Sequence, residues 1–84
     1  MDYIIFSGIV RKRIIELASQ KKYSMSKLCT KSHVAPSTLN KFMNDPTANM
    51  KLDTLDKLCY GLGITIQDFF NTPEFDSKLR KPPV

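Results

Sequence analysis

The chain has 84 residues, 42% of them hydrophobic, with a formal net charge of +5 and an isoelectric point near 9.4. That length buries one modest core and leaves no room for an enclosed active-site cleft, so one compact domain is expected. The apolar stretch 3–6 is too short to span a membrane and follows an Asp rather than basic residues, which argues against a signal sequence and for a cytoplasmic protein with no membrane partner.

The charge is unevenly spread. Residues 1–44 carry 8 Lys/Arg against 2 Asp/Glu, a net +6, whereas residues 45–84 carry 5 against 6, a net −1. A polyanionic partner is therefore expected to meet the first half. Cys29 and Cys59 lack a C-x-x-C spacing or nearby His ligands and read as small, buried, reduced core residues rather than a disulfide or metal site. One His, no Gly-rich phosphate loop and no paired carboxylates in a cleft give no basis for an enzyme, a metal or a small-molecule cofactor.

Ile5, Ile9, Val10, Ile14, Leu17 and Ala18 recur at separations of three and four, which predicts a first amphipathic helix over 5–21. The β-branched and aromatic residues at 3–6 also suit a short strand. Arg11, Lys12 and Arg13 read as a solvated or phosphate-facing edge of this helix. Ser24 offers a hydroxyl to the free N–H groups of a second helix reaching about Ser32, with Met25, Leu28 and Cys29 on one face. Lys27 and Lys31 lie on its outer side.

Residues 32–36 must turn, because a proline disfavours helical geometry at the residue before it while its own fixed φ suits a helix's first position. A third helix therefore begins at Pro36. Leu39, Phe42 and Met43 give it an apolar side, and Asn44-Asp45-Pro46 ends it. Leu52, Leu55, Leu58, Cys59 and Leu62 mark a fourth helix capped by Gly63. Thr65 caps a short fifth helix carrying Ile66, Phe69 and Phe70. Tyr60 and the two phenylalanines read as core, with Phe70 also suited to a dimer surface. Beyond Asn71 three of the five prolines and little periodicity suggest a disordered tail, leaving a domain over 1–71.

Two short helices joined by a tight turn in a small basic domain form the arrangement that lays its second helix in the DNA major groove. With Leu39, Phe42 and Met43 turned inward, Ser37, Thr38, Asn40 and Lys41 remain on the outer side of the third helix. Ser and Thr bond phosphates or base edges, Asn binds adenine bidentately, and Lys reaches guanine or a phosphate. The start of the second helix, at Ser24 and Met25, can present backbone N–H groups to a phosphate.

The segments R-I-I-E-L (13–17), Y-S-M-S-K-L-C (23–29), H-V-A-P-S-T-L-N-K-F (33–42), L-D-T-L-D-K-L-C (52–59) and L-G-I-T-I-Q-D-F-F (62–70) together resemble the Cro/repressor-type, or xenobiotic-response-element, helix-turn-helix family. The resemblance implies an all-α, five-helix, lambda-repressor-like DNA-binding domain, commonly a homodimer on double-stranded DNA. It implies base contacts at Ser37, Thr38 and Lys41 with Asn40 beside them, and backbone contacts from the start of the second helix and the loop 44–49. The candidate DNA-binding set is thus Ser24, Met25, Pro36, Ser37, Thr38, Asn40, Lys41 and Asn44. The chain departs from the family pattern at Met25, where Gln is frequent, and at His33, where Gly is frequent. It departs again at Ala18 and Met43, where several members place an Arg–Glu pair. A sequence-specific transcriptional regulator of repressor type is the expected function, and a protein-interaction or antitoxin-like module on the same fold is the alternative.

Overall fold

A computed structural model describes residues 3–75 of the chain, with side chains from Phe6 onward. Five α-helices follow one another: α1 Tyr3–Gln20, α2 Met25–Ser32, α3 Pro36–Asn44, α4 Leu52–Leu62 and α5 Ile66–Phe70, and a 3₁₀ turn follows at Pro73–Phe75. The backbone at 3–6 is the first turn of α1, so the strand alternative for that segment is excluded.

Three helices stop by the same device. After α1, the Tyr23 N–H donates to the Ala18 carbonyl and the Lys22 N–H to that of Ser19, with Lys22 in the left-handed region at φ 60°. After α2, the Val34 N–H reaches the Cys29 carbonyl with His33 at φ 57°. After α4, the Ile64 N–H reaches the Cys59 carbonyl with Gly63 at φ 72°. These bonds satisfy last-turn carbonyls that have no partner within the helix, and the residue at the bend must take positive φ. Only at Gly63 does the chain use the residue for which that conformation carries no steric penalty.

Helix starts are equally local. Ser24 accepts from the Lys27 N–H at 3.1 Å, as its position before α2 predicts. Thr65 and Asp68 form a reciprocal capping box at the head of α5. Pro36 occupies the first turn of α3, and Ala35 and Lys51, which precede α3 and α4, supply no side-chain cap.

The core draws on every helix: Ile14, Leu17 and Ala18 from α1, Leu28 and Cys29 from α2, Leu39 and Phe42 from α3, Leu55, Leu58 and Leu62 from α4, and Phe69 from α5. Burying each large side chain contributes about 1.5–3 kcal/mol. The α2 and α4 helices approach closely where Gly61 faces Ser32. A Cβ on Gly61 would lie 2.0 Å from Ser32 Oγ and 2.9 Å from Ser32 Cα, so only glycine permits the approach. The Ser32 hydroxyl is buried there without a hydrogen-bond partner among the described residues.

Several expectations change at this level. Pro73–Phe75, within the segment expected as a tail, forms a turn whose Phe75 ring packs edge-on against Phe70 at 4.8 Å and against Phe6 at 5.8 Å; residues 76–84 lie outside the described part. Tyr60, read as core, is 76% exposed, and Leu52, assigned to the apolar stripe of α4, is 84% exposed. Tyr60 lies on the outer side of α4 and Leu52 at its first residue, beyond the neighbours that cover Leu55, which periodicity alone does not reveal. Cys29 and Cys59 are buried and unpaired, and burial pushes both thiols up, Cys59 to about 11.

Candidate nucleic-acid interface

The turn between α2 and α3 is built from Ser32, His33, Val34 and Ala35. Val34 drops into the core, His33 takes the left-handed bend, and Ala35 in extended geometry feeds Pro36. Leu39 and Phe42 then face inward, with Met43 half-buried beside them, so helical geometry turns Ser37, Thr38, Asn40 and Lys41 outward; all four are exposed. Lys41 forms no ion pair among the described residues.

The rest of the expected set is differently placed. Ser24 and Pro36 are exposed, but the Ser24 oxygen is already occupied as the cap of α2. Met25 is half-buried against the core, on the apolar face it shares with Leu28 and Cys29. Asn44 is exposed, yet its amide nitrogen donates to the Asn40 carbonyl at 2.9 Å and closes the last turn of α3.

A cleft of about 540 Å³ runs along α3, with Thr38 and Lys41 on one side and Thr47, Asn49, Lys51 and Thr54 on the other. The Asp45 carboxylate at its end accepts the Thr47 N–H at 2.9 Å and the Thr47 hydroxyl at 2.7 Å. Those bonds hold the Asp45 carboxyl below the usual carboxylate range, with Lys41 and Arg11 adding to the effect. The loop after α3 is thereby folded into a fixed wall of the cleft.

Positive charge gathers around the same helices. Lys21, Lys22, Lys27, Lys31 and Lys41 are exposed, and the Lys27 and Lys31 ammonium groups lie 5.2 and 5.9 Å from the Tyr23 ring centroid. The arginines of α1 do not belong to this field in the way their sequence position suggests. Arg13 donates to the carbonyls of Phe69 at 2.7 Å and Asp68 at 2.8 Å and pairs with Glu16, thereby tying down the end of α5. Arg11 likewise engages the end of α3, through Nε to the Phe42 carbonyl and Nη2 to that of Asp45, both at 2.7 Å. Lys12 alone of the three is an exposed side chain, paired with Glu74. Sequence reasoning missed these arginine contacts because their acceptors are backbone carbonyls, which carry no side-chain signature.

No group of three or more His, Cys, Asp or Glu among the described residues is arranged to hold a metal ion. No helix among them is long and apolar enough to cross a membrane. A family model described as the Cro/C1-type HTH DNA-binding domain matches residues 13–74. No curated protein and no solved structure matches the chain.

Proposed function

The chain belongs to the Cro/C1-type helix-turn-helix DNA-binding domain family, and from that premise we propose that it is a sequence-specific transcriptional repressor that reads the major groove with α3. The observation that carries the reading is the sidedness of α3: Ser37, Thr38, Asn40 and Lys41 stand exposed together while Leu39 and Phe42 anchor the helix from behind. Asn40 and Lys41 bond base edges, Ser37 and Thr38 bond bases or phosphates, and the surrounding lysines neutralise the backbone. A domain seated in the groove represses by denying that site to competitors. Pro36 fixes where α3 begins, and the Ser24–Met25 and Asn44 ends contribute backbone contacts rather than sequence discrimination. The protein works in the cytoplasm, as a regulator of bacterial or phage type.

It acts as a homodimer. Support comes from an apolar groove of about 260 Å³ lined by Phe6, Met50, Leu52 and Phe70, beside which Leu52 is nearly fully exposed. The two half-sites then lie about 34–36 Å apart along the duplex. Light scattering that shows only monomer, with and without DNA, would remove the dimer.

Anisotropy titration against duplex selected from a random pool tests the reading. Binding should weaken steeply as salt rises, and Asn40→Ala with Lys41→Ala should abolish preference for the selected duplex. No binding at micromolar protein and low salt would sink the proposal. The exposed Tyr60 favours a second reading, a protein-interaction or antitoxin-like module; in that case the double variant retains its partner.

A further inference from the structure

We propose that Arg11 is a positioning residue that sets the pose of α3 on the body of the domain, and with it the discrimination between DNA sequences. This rests on α3 being the reading helix. The apolar grip on α3 is confined to Leu39 and Phe42 with half-buried Met43, all within about one turn. Such a grip resists separation, but dispersion contacts are non-directional and do little to stop a short helix rocking or sliding. At its start α3 is held by covalent continuity with the turn and by buried Val34. At its end the local bonds, Asn44 to the Asn40 carbonyl and Thr47 to Asp45, come from the same segment and cannot anchor it to anything else.

Arg11 is the side chain that does so. Among the described residues it makes the only side-chain hydrogen bonds between α3 or its following loop and another helix. Its guanidinium spans the Phe42 carbonyl, one of the last-turn groups that lack a partner within the helix, and the Asp45 carbonyl just beyond the helix end. The Asp45 carbonyl also accepts the Ala48 N–H at 3.0 Å, so the same arginine steadies the loop wall of the cleft. The guanidinium carbon sits 4.7 Å from the centre of the Phe42 ring, which adds a stacking contact. Two directional bonds from a planar fork fix both the rotation and the axial placement of the helix end. A lysine cannot reproduce them, because its ammonium is a point charge on a flexible stem.

Arg11→Lys therefore preserves charge and removes geometry. Its affinity for the selected duplex should fall about tenfold, the scale of one charge-assisted hydrogen bond, while affinity for a random duplex of equal length stays within about twofold. The salt slope should be that of the original protein for both Arg11→Lys and Arg11→Gln. A slope smaller by about one in Arg11→Gln would make Arg11 a phosphate contact and overturn the proposal. So would an equal loss on both duplexes, which a merely structural role would give.

Amide exchange supplies a reading that needs no DNA. Exchange should accelerate about tenfold over 41–48 in Arg11→Lys and stay unchanged in α2 and α4, since one lost charge-assisted bond controls that local opening. In the unaltered protein the Arg11 Nε–H should exchange slowly; fast exchange overturns the proposal even if the variant fails to fold. If no duplex is selected from the pool, the major-groove reading fails, and the exchange data still decide whether Arg11 anchors α3.

Discussion

Replacing His33 by glycine should stabilise the protein, and the structure sets the size of the gain. His33 closes α2 at φ 57° and ψ 38°, a left-handed conformation that costs an L-residue about 1–2 kcal/mol. Glycine escapes that cost but loses about 0.5–1 kcal/mol more conformational entropy on folding. The His33 side chain is exposed and makes no hydrogen bond among the described residues, so little packing is forfeited. The net expectation for His33→Gly is a gain of about 0.5–1 kcal/mol, or about 3–6 °C in Tm for a domain of this size. Gly63 provides the converse, because it closes α4 with the same bonding at φ 72°. A Cβ there would meet only Lys21 Nζ, at an ordinary contact distance of 3.9 Å, so Gly63→Ala isolates backbone strain and should cost about 1 kcal/mol. Urea and thermal unfolding followed by circular dichroism measure both, with an unchanged m-value confirming that the denatured state is comparable. A loss of stability in His33→Gly, or no loss in Gly63→Ala, would refute the reasoning.

Other outcomes follow from the α2–α4 contact and the thiols. Ser32→Ala removes a buried hydroxyl that has no partner among the described residues and should raise stability by about 1 kcal/mol in the same unfolding assay. Gly61→Ala should lower it by about 1–2 kcal/mol, since the overlap with Ser32 outweighs the better helix propensity of alanine. Cys29 and Cys59 should resist an aromatic disulfide reagent at pH 8 in the folded protein and react within minutes in urea. Burial both hides the sulfurs and, at Cys59, lifts the thiol to about 11, so thiolate is scarce until the chain unfolds. Rapid reaction of both thiols in the native state would contradict the packing of α2 on α4.

The α-helical course of the chain was legible in the sequence because its signals are local. Ser24, Gly63 and Thr65 mark helix ends through bonds within about five positions, Pro36 marks one through its fixed φ, and the spacing of Leu39 and Phe42 assigns the outer side of α3 to Ser37, Thr38, Asn40 and Lys41. The apolar face that Met25 shares with Leu28 and Cys29 was legible in the same way, but that Met25 is only half-buried where Leu28 and Cys29 are buried depends on neighbours from elsewhere in the chain. Tertiary structure alone decided where Arg11 and Arg13 end, on carbonyls 31 to 56 residues away. It alone left Tyr60 and Leu52 outside, brought Phe75 onto Phe6, and pressed Gly61 against Ser32. Periodicity tells which side of a helix is apolar, but the partner that side meets, and the groups a long side chain can reach, exist only once the helices have packed.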